Sequence, residues 1–149
     1  MTDIAGCSPA RVVKAARAWI GTPYHHQAAC RGVGTDCLGL IRGVWHDLFG
    51  EMPEAPPPYT RDWAEALGRE TLIDAAERYL RRAPDRDITA GTVLVFRYRR
   101  DVPAKHIGIA TAPDRFIHAV ERRGVVEVAL VAGWRRRIAA QFVFPDRSH

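Results

Sequence analysis

A cysteine that directly follows an aspartate at the head of an apolar-periodic run, Asp36-Cys37 in "GVGTDCLGLIRGVWHDLFG", has the makings of a nucleophile. Thiol catalysis needs a sulfur placed to lose its proton, an imidazole to take it, and a polar group to hold that imidazole. Two histidines qualify by position. His106 opens "HIGIA" and His118 sits in "FIHAV", on two strand-like segments joined by a short "APD" turn. With the hairpin centred at Ala112 the two imidazoles stand directly opposed on one face, and a one-residue slip undoes this. Gly108 and Ala110 on that face are small, so a helix end is expected to pack beside His106 there. The expected roles are Cys37 as nucleophile, His106 as base and His118 as orienter.

These side chains need a helix start and a hairpin to hold them. The pattern predicts a helix over Cys37–Phe49 with Thr35 or Asp36 as cap and Gly50 beyond its end. First-turn N–H groups and the positive dipole end there favour a thiolate and can also donate to an oxyanion. Cys37, Ile41, Val44 and Leu48 fall on one helical stripe, however, so Cys37 fits a small core hydrophobe equally well. Spacing alone leaves both readings open.

Ahead of this helix, Ser8-Pro9 is read as a cap and first helical position opening "ARVVKAARAWI", which Gly21 and Pro23 stop. Prolines 53, 56, 57 and 58 break the chain, and "RDWAEALGRETLIDAAERYLRRAP" follows as one or two amphipathic helices. Residues 51–90 thus read as a proline-rich and helical insertion in a single domain spanning 1–149. From Thr92 onward "TVLVFRY", "KHIGIAT", "RFIHAV", "GVVEVAL" and "AAQFVFP" are expected to form an antiparallel meander. Helices first and strands after imply an α+β fold, N-terminal helices on a sheet of about five strands.

The 149 residues suffice for a core without staples, and three cysteines do not make a disulfide framework. No apolar run reaches the length that spans a bilayer, and no secretory signal is read at the N-terminus. The net charge of +5, mostly arginine, favours anionic partners without selecting one. His25, His26, Cys30 and Cys37 lack the paired spacing of a zinc set, so no metal is expected; His25 and His26 are read as loop or cleft-lining residues. His46 is expected at the surface, and "WRRR" (Trp134 to Arg137) as a solvated loop or assembly contact. Nucleic-acid binding through the arginines has no recognition motif to support it.

"GTPY" at Gly21, "TDCLGL" at Thr35, "AGTVLVF" at Ala90, "HIGIA" at His106 and "FIHA" at Phe116 resemble the ordered signature of NlpC/P60 cysteine peptidases. The "GTPYHHQ", "DCLGL" and "PPYTRDWAEA" segments are most similar to the short, signal-less branch of phage tails and gene transfer agents. The resemblance implies a papain-like core and hydrolysis of an amide bond in peptidoglycan stem peptides, typically between D-glutamate and a diamino acid. It also implies Cys37, His106 and His118 as the catalytic residues, Tyr24 supplying a hydroxyl near the thiol, and Asp36 in support. No cofactor is implied. The implied partners are peptidoglycan and tail-tip or hub proteins, with no membrane insertion and no specific nucleic acid. The protein would be made in the cytoplasm and carried by a particle to the periplasmic wall. Leu38 replaces the serine of the more usual "DCSGL", and Thr92 the acid of "GDLVFF". A tail-tip component with a vestigial triad is the alternative.

Overall fold

The computed structural model describes residues 7–51, 71–83 and 87–146. Helix α1 covers Pro9–Arg17, three residues short of the expected Ile20, and the chain leaves it through turns that end at Gly21, φ +92°. Ser8 holds the cap position without a side-chain hydrogen bond; its carbonyl accepts from the Val12 N–H at 3.1 Å. Two short strands, β1 (Ala29–Cys30) and β2 (Gly34–Thr35), pair before helix α2, which spans Cys37–Phe49 as its spacing predicts. Asp36 caps α2 through its side chain, and Gly50 closes it at φ +78°. Helix α3 (Thr71–Tyr79) follows, then β3 (Arg81–Arg82), β4 (Val93–Phe96), β5 (His106–Ala112), β6 (Arg115–Val120) and β7 (Gly124–Ala129). A short helix α4 (Ala132–Arg135) leads into β8 (Ile138–Val143).

All five expected strands are present, and β3 adds a sixth to an antiparallel sheet ordered β3-β8-β4-β5-β6-β7. The meander holds only from β4 to β7. Strand β8 returns across the sheet to pair with β4, a connection made by α4 that the strand spacing does not reveal. Much of the 51–90 segment, including residues 61–70 of the expected helix, lies outside the described residues. Its described part joins the main core through Leu72, Ala76 and Leu80.

The sheet has two different faces because its strands alternate with period two. Val93, Val95, Ile107, Ile109, Ile117 and Ala119 form a core with Val12 and Ala16 of α1 and Leu40, Ile41 and Val44 of α2. Burying each such aliphatic side chain stabilises the fold by about 1.5–3 kcal/mol. The turn after α1 approaches α2 closely at Gly43, where an added Cβ would fall 2.0 Å from the Trp19 ring. Trp19 in turn donates its indole N–H to Asp47 at 2.9 Å. Leu94, Phe96, Ala110 and Phe116 point the other way, into a second cluster with Ile88, Leu130 and Trp134. Helix α2 therefore covers the Ile107/Ile109 face. This corrects the expectation that it packs on the small residues beside His106: the branched side chains offer the larger apolar area.

Candidate active site

Cys37 is the first residue of α2, and the turn holding it is built from backbone contacts. The two Asp36 carboxylate oxygens accept from the N–H groups of Gly39 and Gln27, each at 2.7 Å. This ties the helix start to the preceding loop, where Gln27 adopts φ +65°. Gly39 leaves room for that loop: a Cβ there would lie 1.9 Å from the Ala28 carbonyl oxygen. Asp36 is thus a buried structural support with both oxygens engaged. Its charge also raises the Cys37 thiol.

The imidazoles come together by a register different from the expected one. Thr111 forms a bulge in β5, after which Ala110 pairs with Phe116 and Ile109 with Ile117. Extending that register puts His118 opposite Gly108, not His106. The displacement is two residues, so both histidines stay on one face and meet diagonally. His106 Nε2 lies 2.8 Å from His118 Nδ1, both rings buried. Gly108 permits the approach, since a Cβ there would be 3.2 Å from His118 Cβ and 2.8 Å from the Ile117 carbonyl oxygen.

Cys37 belongs to the helix on the opposite face, yet it lines the same cleft as both histidines. The β5–β6 ladder ends at Ile109, and beyond it the Ile107 N–H makes a hydrogen bond with the Cys37 sulfur. The thiol thus meets the strand one residue from His106. Burial and the Asp36 charge push this thiol up to about 12, against the opposing pull of the Ile107, Leu38 and Cys37 N–H groups. Burial pulls His106 down to about 3, helped by its neighbour His118, and burial alone pulls His118 down to about 4. At neutral pH the site rests as a thiol beside two neutral imidazoles.

The cleft has a volume of about 430 Å³. Tyr24, bridged to Thr35 through its backbone, and His26 reach its wall; His25 is exposed and packs at Gly34. His46 is exposed near the far end of α2, as expected. The spacing gives no sign of three further lining residues, Tyr98, Lys105 and Trp134. Trp134 stands 5.6 Å from His106 at an interplanar angle of 30°, and edge-on to His118 at 5.3 Å. This corrects its reading as a solvated loop residue. One aromatic on a four-residue helix carries no periodic signal.

A thiol at a helix start, next to hydrogen-bonded imidazoles in a cleft, is the arrangement of a thiol-dependent acyl-transfer centre. Residues 21–141 match the NlpC/P60 family, and the chain belongs to it. A curated relative, a probable endopeptidase of Haemophilus influenzae, is 31% identical over 108 residues, 72% of this chain and 56% of its own. The chain therefore spans little more than half of that relative's length. The fold matches the NlpC/p60 domain of peptidoglycan hydrolase SagA with TM-score 0.58 at 22% identity, covering 92% of this chain and 98% of that one. It also matches an NlpC/P60 family protein of Bacillus cereus with TM-score 0.65 at 15% identity, covering 96% and 42%. The α+β architecture is that of the papain-like NlpC/P60 structures.

Proposed function

We propose that the protein is a cysteine peptidase that hydrolyses an amide bond of peptidoglycan stem peptides, the bond between D-glutamate and a diamino acid. The observation that carries this reading is the shared cleft of Cys37 and the hydrogen-bonded His106–His118 pair. With Nε2 of His106 engaged by His118, Nδ1 is the nitrogen that takes the thiol proton. His106 in the Nε2–H tautomer donates to His118 Nδ1, and that bond strengthens when His106 becomes cationic. Sulfur attacks the carbonyl carbon as its proton passes to His106, so the buried thiolate never stands alone. Asp36 occupies the Gly39 N–H and its carbonyl accepts from Leu40, which leaves the Cys37 and Leu38 N–H groups beside the sulfur to receive the oxyanion. His106 then protonates the leaving amine, and water releases the acyl group from the thioester.

Delivery by a phage-like tail, with action at the periplasmic wall to open a path for DNA, is the biological setting of this proposal. Its support is the likeness of "GTPYHHQ", "DCLGL" and "PPYTRDWAEA" to that branch. Purified protein should release stem-peptide fragments from murein, identified by mass spectrometry, and Cys37→Ala should release none while remaining folded. Undiminished release by the variant sinks the assignment.

The raised thiol favours a second reading, a tail-tip component with a vestigial triad. Cys37 that alkylates with iodoacetamide no faster than exposed Cys30, in protein inert toward murein, would favour it.

A further inference from the structure

A second cavity, about 380 Å³, adjoins the catalytic cleft and shares Tyr98 with it. Its lining includes Arg97, Arg99, Arg100, Arg136 and Arg137, and none of the described residues lining it is acidic. The guanidiniums of two are held in place by carbonyl oxygens. Arg97 Nη1 donates to Val102 at 2.9 Å; Arg137 donates through Nε to Tyr98 at 3.1 Å and through Nη1 to Gly133 at 2.9 Å. Asp101, 3.8 Å from Arg99, forms an exposed pair that solvent screens. Positive charge is thus concentrated and partly preorganised at one mouth of the cleft.

We propose that this arginine groove binds the free carboxylates of the stem peptide and so sets the position of the scissile bond over Cys37. The inference rests on the peptidase reading and adds the substrate feature recognised. Guanidinium forks suit carboxylates, which they engage through paired hydrogen bonds. The cavity size fits a short peptide portion, within the range of small-ligand sites. Tyr98 links the two cavities physically: its ring is 6.1 Å from His106, and its backbone carbonyl anchors Arg137. Its hydroxyl is raised by burial and then by Cys37, and lowered by Arg137, so it feels both sites.

The test uses synthetic stem peptides with free carboxylates and the same peptides with those groups converted to carboxamides. The double variant Arg100→Gln/Arg136→Gln removes two exposed guanidiniums and leaves the anchored pair in place. For the free acid, kcat/KM should fall about tenfold, while the carboxamide should show one kcat/KM in both proteins. Calorimetry in the Cys37→Ala background should show the same tenfold loss in affinity for the free acid alone. This binding readout judges the groove even where no peptide is cleaved, an outcome that would instead reject the peptidase reading. Unchanged affinity for the free acid, or an equal loss for both peptides, overturns the proposal. Tighter binding of a DNA oligonucleotide, with no discrimination between peptides, also overturns it and assigns the groove to nucleic acid.

Discussion

The two faces of the hairpin β5–β6 put adjacent residues to opposite uses. Ile107, Ile109 and Ile117 sit in an aliphatic core under α1 and α2, where shape and volume decide the energy. His106 and His118, their immediate neighbours, stand among Phe96, Phe116 and Trp134, where burial holds titratable rings neutral. One strand supplies both because successive side chains alternate. On the proposed mechanism, stability and chemistry are therefore separable at the resolution of a single residue.

That separation breaks most sharply at Ile117 and His118. His118→Ala should lower turnover by on the order of a hundredfold, through the lost hydrogen bond to His106, with a smaller effect on KM. Ile117→Ala should instead cost about 2–5 kcal/mol of stability in chemical denaturation, with turnover per folded molecule preserved. If both substitutions move both quantities equally, the faces are not independent.

Acid sharpens the same contrast. The folded values of His106 and His118, about 3 and 4, lie below the ordinary 6.5, so between these limits the unfolded chain binds more protons. Stability gained from keeping the rings neutral is fully present above pH 6.5 and is lost as pH falls toward 4. Denaturation should show a slope of on the order of 1 kcal/mol per pH unit in this window. His106→Asn should flatten the slope, and an unchanged slope would refute the assignment.

Trp134→Ala should open the histidine face to water and let both imidazoles rise toward 6.5. The acid limb of the cleavage profile should then move to higher pH, whereas a packing role alone lowers stability and leaves the limb in place.

The smallest effect is expected at the sheet's far edge. Glu127 accepts from Arg17, Thr111 and Arg115, and its hydrogen bond from Arg17, ahead of the others, holds its carboxyl down to about 2. The contribution is present above 4.5 and lost as pH falls through about 2. Arg17 is half exposed, so screening leaves Glu127→Gln costing about 1 kcal/mol or less by thermal denaturation.

Local features of the fold were legible in the sequence: the bounds and cap of α2, the strand segments, and the placing of both histidines on one face. Their physical basis is short-range, in helical spacing, an aspartate ahead of the first turn, and alternation. The direct opposition of the histidines was not legible, because the turn falls at residues 113–114 rather than at Ala112 and the Thr111 bulge then takes up one residue of β5, so that His118 comes opposite Gly108. Nor was the return of β8 beside β4, or the arrival of Trp134 over His106, since both depend on contacts between distant segments. The face chosen by α2 was misread because small side chains suggested access, whereas apolar area governed the packing.

The Ile107 N–H, hydrogen-bonded to the Cys37 sulfur, is in effect a built-in reporter of the sulfur's state. Ionisation of the thiol strengthens the acceptor, so the amide proton resonance should move downfield and its hydrogen exchange should slow. Alkylation puts bulk where that proton points and should speed exchange at Ile107 well before the rest of β5 is affected. A single backbone amide, followed by nuclear magnetic resonance, would therefore read the occupancy of the nucleophile with no substrate present.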